Sequence, residues 1–237
     1  MLEVDAVTVR FGGVRPLNAV ALSFDRGTWG LIGPNGAGKT TFFNVLSGFV
    51  TPVSGTVSCF GDDLLAMSAH RRARWGMRRT FQQDQVIGEL SVAGNIELAL
   101  DHTRGRASAH GVEEVLDFVG LAELARTAGA KLNAMERRLI ELARALAGSP
   151  RLVLLDEPAA GLSDSESVEL GRLVAQVPER FGALVILIDH DMELVASTCE
   201  QTAVLDFGNV IASGRTGDVL RDPQVMQAYL GTEEAAA

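Results

Sequence analysis

The clearest chemical signal in the sequence is a glycine-rich loop at residues 33–40, which reads GPNGAGKT and fits the pattern G-x-x-x-x-G-K-[ST]. Glycines allow such a loop to fold so that successive backbone N–H groups converge on phosphate oxygens, and the following helix N-terminus adds a positive dipole end. Lys39 supplies a mobile positive charge. We therefore predict a site for a nucleoside triphosphate. A glycine-rich turn without a ligand is the alternative interpretation.

The hydroxyl groups at the end of this loop predict a magnesium ligand. We expect Thr40 to place its hydroxyl on Mg²⁺ and Thr41 to reach the α-phosphate side. Helix capping is their alternative role. The predicted nucleotide contacts of the loop are Gly33, Pro34, Asn35, Gly36, Ala37, Gly38, Lys39, Thr40 and Thr41.

Two carboxylates, Asp156 and Glu157, follow the apolar run at residues 152–155. They therefore lie at the carboxyl end of a predicted parallel strand, where open α/β sheets bind ligands. Asp156 can hold Mg²⁺ directly or through water, and Glu157 can orient and deprotonate the water that attacks the γ-phosphate. An acidic turn at a strand end is the alternative.

A third apolar run, residues 184–188, ends at Asp189 and His190. An imidazole at that edge of the sheet can donate to the γ-phosphate and sense its presence, although a lone histidine is more often structural. Gln82, in the segment RTFQ after a predicted strand, can contact Mg²⁺ or the attacking water through its amide. Gln83 is the competing candidate.

The elements that must position these groups indicate a P-loop α/β fold. Residues 29–32, 152–155 and 184–188 are apolar throughout, as expected for central parallel strands covered on both faces. Residues 2–24 alternate apolar and polar side chains, which predicts an antiparallel β lip at the N-terminus. Apolar residues at helical spacing predict helices around residues 112–119 and 139–146, and an apolar helix at residues 41–49.

We predict one domain, residues 1–237, with two parts. Residues 1–81 and 150–237 form the α/β core, and residues 82–149, which contain no strand-like run, form an inserted helical subdomain. Residues 203–212 predict two strands turned at Gly208 and Asn209.

Composition excludes several classes of protein. The formal net charge of −9 disfavours nucleic acid as a partner, and the longest apolar run falls far short of the ~20 residues needed to cross a bilayer. We therefore expect no direct membrane span. Cys59 and Cys199, with scattered histidines, indicate neither a disulfide framework nor a zinc site.

Taken together, GPNGAGKT, TFQQ, LVLLDEP and IDHD resemble the phosphate loop, glutamine loop, second acidic motif and switch histidine of ABC transporter ATP-binding subunits, over nearly the whole chain. Within that superfamily, RFGGVRPL, LLDEPAAGL and DHDMELV look most like importers of branched-chain and other hydrophobic amino acids. Urea and amide importers are similar enough to stay open.

The resemblance implies several further features. Phe11, in RFGG, stacks on adenine, and core packing is its alternative role. Two ATPase subunits sandwich two ATP molecules and drive transmembrane permease subunits from the cytoplasmic face of the cell membrane, where the chain is peripheral. The basic run HRRARWGMRR before Gln82 lies near the docking surface or, as we favour, on a solvated helix face.

The sequence departs from this family in the signature segment, residues 132–136, which reads LNAME where the family has roughly LSGGQ. In the family this helix start grips the γ-phosphate held by the opposite subunit. We expect Asn133 to replace the serine hydroxyl, Met135 to place bulk where backbone must approach phosphate, and Glu136 to repel the anion by about 3 kcal/mol at ~5 Å. Ser163 replaces the usual Asp of the next loop and forms a capping-box pattern with Glu166.

This departure predicts an asymmetric dimer, in which the chain pairs with a different ATPase subunit that carries a normal signature; a homodimer is the alternative. Two other functions stay open. One is a regulatory subunit that binds ATP with weak hydrolysis. The other is a soluble ABC ATPase that acts on DNA or ribosomes, but the long coiled coils, second cassette or basic surface expected of it are not visible in the sequence.

Overall fold

The computed structural model describes residues 1–101 and 110–233, which fold around two β-sheets. The larger sheet has six strands in the order β10-β9-β3-β8-β7-β6, and the smaller has four in the order β2-β1-β4-β5. The strands are β1 (Leu2–Phe11), β2 (Val14–Phe24), β3 (Thr28–Ile32), β4 (Ser54–Cys59), β5 (Asp62–Asp63), β6 (Met77–Arg79), β7 (Leu152–Asp156), β8 (Leu184–Ile188), β9 (Gln201–Asp206) and β10 (Asn209–Arg215).

The three apolar runs form the centre of the larger sheet, as predicted. Strands β3, β7 and β8 run parallel to their neighbours, and all of their residues are buried. Successive residues of β7 face different cores: Leu152 and Leu154 pack beneath the antiparallel sheet, while Val153 and Leu155 pack among the helices on the other side. Burial on both faces explains the absence of alternation in these strands.

The N-terminal lip is also confirmed, because β1 pairs antiparallel with both β2 and β4. One boundary in the larger sheet differs from the prediction. The turn between β9 and β10 lies at Phe207 and Gly208, and Asn209 already begins β10. Phe207 has a φ of 41° and Gly208 a φ of 80°, so the left-handed pair falls one residue earlier than glycine–asparagine chemistry suggested.

The helices predicted from apolar spacing are present. The helices are α1 (Lys39–Ser47), α2 (Ala69–Trp75), α3 (Val92–Asp101), α4 (Val112–Phe118), α5 (Ala134–Leu146), α6 (Asp164–Phe181), α7 (Met192–Thr198), α8 (Thr216–Val219) and α9 (Pro223–Glu233). Helix α1 begins at Lys39 rather than residue 41, since Gly38 serves as its N-cap, and it ends at Ser47 before the left-handed Gly48.

Helices α3, α4 and α5 all fall between residues 82 and 149. The division of the chain into a core and a helical subdomain stays a prediction. Among residues 1–101 and 110–233, no helix combines the length and the apolar character that crossing a membrane requires.

The basic run at residues 70–79 is not simply a solvated helix face, so that prediction was wrong for two of its arginines. His70, Arg71 and Arg74 are exposed, but Arg72 is 4% exposed and its guanidinium lies at the end of α1. Its Nη1 donates to the carbonyls of Val45 and Leu46 at 2.5 Å each. The last carbonyls of a helix lack partners within the helix, and Arg72 supplies one. Arg79 is the second buried arginine.

We expect Arg72→Met to lower the free energy of unfolding by about 2–4 kcal/mol, because it leaves buried carbonyls of α1 without their charged donor. Urea unfolding followed by circular dichroism measures the change. Arg71→Met, one residue earlier and exposed, is the control and should alter stability by less than about 0.5 kcal/mol. Equal effects of the two variants would contradict this role of Arg72.

Candidate functional site

The parallel strands bring the predicted groups to one edge of the larger sheet. Strand β8 pairs with β3 on one side and β7 on the other, so their carboxyl ends are adjacent. The loop of residues 33–40 follows β3, Asp156 and Glu157 end β7, and Asp189 and His190 follow β8. This shared edge is where open α/β sheets bind ligands.

The loop at residues 33–40 depends on glycine at positions where backbone meets backbone. Gly33 has a φ of 148°, and a Cβ there would lie 2.0 Å from the carbonyl oxygen of Leu205. Gly38 has a φ of 110°, and a Cβ there would lie 2.2 Å from the carbonyl oxygen of Pro16. Ala37 accepts a hydrogen bond from the amide of Gly208 at 2.9 Å. Two neighbouring segments therefore fix the loop's path without any ligand.

Lys39 folds back onto this loop. Its Nζ donates to the carbonyl of Gly33 at 2.5 Å and to that of Pro34 at 3.1 Å. Burial lowers the pKa of Lys39, while the charges of Glu157 and Asp156 act in the opposite direction. The ammonium group is thus held by carbonyls of the loop it serves.

Thr40 and Thr41 lie in the first turn of α1, directly after that lysine. Thr40 is exposed and Thr41 is half-buried. The N-cap residue of α1 is Gly38, which has no side chain to cap the helix. Neither threonine therefore takes the N-cap position, which was their alternative role. Their hydroxyl groups therefore stand at an open, electropositive helix start.

Asp156 is a buried carboxylate, 5% exposed, and it has two polar contacts from the strand beside it. Its Oδ2 accepts from Nη2 of Arg79 at 2.9 Å, and its amide donates to Oγ1 of Thr80 at 3.1 Å. Burial raises the pKa of Asp156, and the Arg79 guanidinium acts to lower it. Sequence reasoning missed Arg79 and Thr80. The available signal was their position at the end of β6, two to three residues before Gln82.

Glu157 adopts a left-handed backbone conformation with a φ of 48°, rare for a residue with a side chain. Its amide donates to the carbonyl of Ile188 at 2.8 Å, which ties the end of β7 to the end of β8. The side chain is partly exposed at this junction. Strained backbone of this kind persists where the surrounding structure over-determines it, and it concentrates in functional sites.

The backbone of His190 is held by the buried carboxylate of Asp189. Asp189 is 2% exposed and its Oδ1 accepts the amides of His190 and Asp191 at 2.8 and 3.1 Å. Burial raises the pKa of Asp189, and these two amides act to lower it. Nδ1 of His190 lies 3.6 Å from Oδ1, and 74% of its side chain is exposed. The imidazole is therefore open to a ligand from its outer side.

Gln82 is exposed, and its backbone is held from the helical side of the chain. Its carbonyl accepts from Nη2 of Arg138 at 3.1 Å, and the same nitrogen donates to Ala160 at 3.0 Å. Arg138 also pairs with the buried Glu141 at 3.0 Å. Arg138 is a third residue that sequence reasoning missed. Gln83 is exposed as well, so burial does not separate the two glutamines.

Phe11 ends β1 and is 54% exposed, which rules out its alternative role as a core residue. It pairs with Val14 across the tight turn at Gly12 and Gly13, and Val14 is 66% exposed. An exposed aromatic face at a hairpin tip is available for stacking on a planar ring.

The signature segment is held by hydrogen bonds between its own residues. Asn133 is the N-cap of α5, and its Oδ1 accepts the amide of Glu136 at 2.8 Å. In return, Oε2 of Glu136 accepts the amide of Asn133 at 2.8 Å. The same box exists at Ser163 and Glu166 on α6, as predicted. Met135 is 7% exposed and belongs to the core, so the expectation of bulk facing a phosphate was wrong.

Magnesium fits the donors on this edge. Among residues 1–101 and 110–233, no group of three or more His, Cys, Asp or Glu residues is placed to hold a metal. The available donors are the carboxylate of Asp156, the hydroxyl of Thr40 and the amide of Gln82. These are hard oxygen ligands of the kind that Mg²⁺ takes together with phosphate and water.

Comparison with known proteins gives consistent matches. The family model described as ABC transporter matches residues 17–160, and that of the branched-chain amino acid ATP-binding cassette transporter matches residues 209–235. The chain is 34% identical to the high-affinity branched-chain amino acid transport ATP-binding protein BraF of Pseudomonas aeruginosa, over 98% of both chains. It is 34% identical to LivG of Escherichia coli, a protein of the same description, also over 98% of both.

A solved structure, the ADP conformation of an ATP-binding cassette of an ABC transporter, superposes with a TM-score of 0.86. It is 26% identical to this chain and covers 98% of both chains.

We expect Gly38→Ala to destabilise the protein more than Gly36→Ala by at least about 2 kcal/mol. Both positions have a positive φ, but a Cβ at Gly36 meets nothing within 4 Å while one at Gly38 meets the Pro16 carbonyl. Thermal unfolding of the two variants measures the difference. Similar losses in both would show that strain in φ alone, and not contact with β2, selects glycine at position 38.

Proposed function

The chain belongs to the ATP-binding subunits of ABC transporters, and from this premise we propose that it hydrolyses Mg-ATP to drive import of branched-chain or other hydrophobic amino acids. The chain is an ATPase of that family. The amino acid class is supported by the descriptions of BraF and LivG and by the family model that matches residues 209–235. The single observation that carries the mechanism is geometric: the amide of Glu157 bonds to the carbonyl of Ile188 at 2.8 Å, which holds this carboxylate at the sheet edge that the phosphate loop shares.

ATP lies along the loop of residues 33–40 in this proposal. Its β- and γ-phosphates accept from the loop amides, with Gly33 to Gly38 shaping the backbone and Lys39 moving from the carbonyls of Gly33 and Pro34 to the phosphates. Thr41 serves the α-phosphate. Phe11 stacks on the adenine, supported by its exposed ring at the hairpin tip.

Mg²⁺ would be held by Thr40, Asp156 and Gln82 together with phosphate oxygens and water. When bound, the ion neutralises charge that develops on the transferred phosphoryl group. Asp156 is fixed for this task by Arg79 and Thr80. Gln82 is exposed and can approach or leave, because the hydrogen bond from Arg138 holds its carbonyl rather than its amide.

Glu157 orients the attacking water and accepts its proton. Its partial exposure and its place between the ends of β7 and β8 support this role. His190 donates to the γ-phosphate. Its support is the rigid attachment to buried Asp189, which fixes the backbone while the imidazole stays open.

We propose that ATP hydrolysis by this chain drives transmembrane permease subunits, to which the chain is attached at the cytoplasmic face of the cell membrane. A second ABC ATPase subunit completes each nucleotide site. The match to branched-chain amino acid transport ATP-binding proteins, 34% identical over 98% of both chains, supports this assembly.

The closed signature segment supports a different chain as that second subunit. The start of α5 is the place where the family binds the γ-phosphate. Here the amide of Asn133 already donates to the carboxylate of Glu136. An incoming γ-phosphate of the same sign must displace this carboxylate. A partner with a normal signature completes the site on this chain's own phosphate loop, and the site at LNAME is slow or silent.

Two alternatives have less support. A urea or amide importer would share the same nucleotide site, but BraF and LivG are both described as branched-chain amino acid transport proteins. A regulatory subunit with weak hydrolysis is motivated by the signature alone. The placement of Glu157 and His190 at the phosphate edge favours hydrolysis.

Glu157→Gln should lower ATP hydrolysis by at least about 100-fold and leave ATP affinity within about two-fold, because a general base contributes to the chemical step and not to binding. Phosphate release and nucleotide titration are measured on the complex purified through a tag on this chain. Glu169→Gln, an exposed carboxylate on α6, should retain full activity. A variant at Glu157 that keeps a tenth of the rate would remove this residue as the base.

Glu136→Gln should raise the ATPase rate of the chain purified alone by roughly ten-fold, because glutamine keeps the capping box but removes the charge that repels the γ-phosphate. Met135 stays unchanged since it is a core residue. Glu166→Gln neutralises the corresponding box on α6 and controls for the loss of a capping charge. If the wild-type chain alone already hydrolyses ATP at a full transporter rate, and Glu136→Gln changes nothing, the asymmetric dimer is wrong.

A further inference from the structure

Arg79 places a buried positive charge on the carboxylate that the proposed function assigns to magnesium. The side chains of Arg79 and Asp156 are each 7% exposed, and Nη2 lies 2.9 Å from Oδ2. Its other terminal nitrogen, Nη1, donates to Oδ1 of Asn44 at 2.7 Å and to Oγ of Ser47 at 3.3 Å. The guanidinium therefore links β6, helix α1 and the end of β7.

Two aromatic rings hold the guanidinium in this position. Its central carbon lies 5.5 Å from the ring centre of Phe43 and 5.0 Å from that of Phe81. Phe43 is fully buried, whereas Phe81 is 39% exposed in the glutamine loop, TFQQ. Contacts of a guanidinium with ring faces are attractive and strengthen when water is excluded. The polar partners on α1 and the rings define one geometry for Arg79.

The consequence concerns a cation that arrives without a nucleotide. Asp156 is one of two buried carboxylates at this edge, the other being Asp189, and its charge is already matched by Arg79. Lys39 adds a second positive charge that interacts with Asp156. With Arg79 matched to Asp156, the remaining nearby charges are Lys39 and Glu157, which oppose each other and leave no net negative charge to attract a free divalent ion. In the described ranges, no group of three acidic, His or Cys side chains is placed to hold such an ion.

We propose that Arg79 is the resident counter-cation of Asp156, which keeps the nucleotide-free protein from binding free divalent metal ions and makes metal binding depend on the triphosphate. The inference rests on the proposed function for the role of Asp156. The triphosphate brings several negative charges to Lys39, and this reverses the charge balance that a metal ion meets. Arg79 is a positioning residue, since it acts through Asp156.

The test is Mn²⁺ binding to the full-length protein without nucleotide, followed by the electron paramagnetic resonance of free Mn²⁺. Wild type should bind Mn²⁺ only at about millimolar concentration or above. Arg79→Met should bind it at least about ten-fold more tightly, because a unit charge a few ångströms from the metal is removed. The double variant Arg79→Met with Asp156→Asn should return to the wild-type value.

Three further variants separate charge from folding. Arg79→Lys keeps the charge and should bind Mn²⁺ as wild type does, whereas a purely structural role would make Lys and Met equivalent. Phe81→Leu loosens the guanidinium and should strengthen Mn²⁺ binding by roughly three-fold. Phe49→Leu is its matched control. The ring centre of Phe49 lies 6.5 Å from that of Phe81, and Phe49 is 63% exposed. This pair carries the test if Arg79→Met does not fold.

The proposal is overturned by micromolar binding of Mn²⁺ by the nucleotide-free wild type, or by no gain in Mn²⁺ affinity with both Arg79→Met and Phe81→Leu. Tighter binding that survives Asp156→Asn also overturns it. Failure of the proposed function looks different, because the wild type would then fail to bind ATP even with Mn²⁺ present. Binding of ATP to the protein in the presence of Mn²⁺ is therefore measured in parallel by equilibrium dialysis, since ATP alone also removes free Mn²⁺ from solution.

Discussion

The site depends on one constraint, the contact of the phosphate loop with backbone on two sides. Gly33 lies against the carbonyl of Leu205 in β9, and Gly38 lies against that of Pro16 in β2. The amide of Gly208 donates to the carbonyl of Ala37, and the carbonyl of Gly208 accepts from the amide of Asn18. Because both sheets touch the loop, its amides are arranged before a ligand arrives, and binding need not order them.

Three polar groups of the proposed nucleotide sites, two at this edge and one in the signature segment, are held by other groups of the same chain. Loop carbonyls hold Lys39, the Arg79 guanidinium holds Asp156, and the Glu136 carboxylate holds the amide of Asn133. Buried or desolvated polar groups need such partners, since an unsatisfied one costs about 1–3 kcal/mol. The nucleotide-free chain is therefore stable with its site assembled, and ligands enter by exchange.

The sequence predicts the groups that a ligand touches better than the groups that hold them. The apolar strands and the loop pattern placed Lys39, Glu157 and His190 on one edge, because parallel strands deliver their ends together. Arg72 and Arg79 escaped prediction, since a charged residue in a basic run is usually solvated, and Arg138 escaped it as a charged residue on a helix. Each has a partner that is distant in sequence: Leu46 is 26 residues from Arg72, Asp156 is 77 from Arg79, and Gln82 is 56 from Arg138. Only the folded chain brings such partners together.

Met135 shows the same limit at the signature segment. Its size was visible in the sequence, but the direction of its side chain depends on the phase of α5, which turns it into the core. What faces outward is the carboxylate of Glu136 in its capping box. The mismatch with an ordinary signature is therefore one of charge rather than bulk.

The charges already present at the phosphate loop edge and at the signature segment differ in sign. Lys39 and Arg79 are cations, so the triphosphate that arrives with its metal brings charge of the opposite sign to this edge. Glu136 is an anion that holds a donor, and the γ-phosphate that would replace it has the same sign. Exchange is therefore favourable at the chain's own phosphate loop and unfavourable at its signature segment. An asymmetric pair of sites follows from this difference in charge.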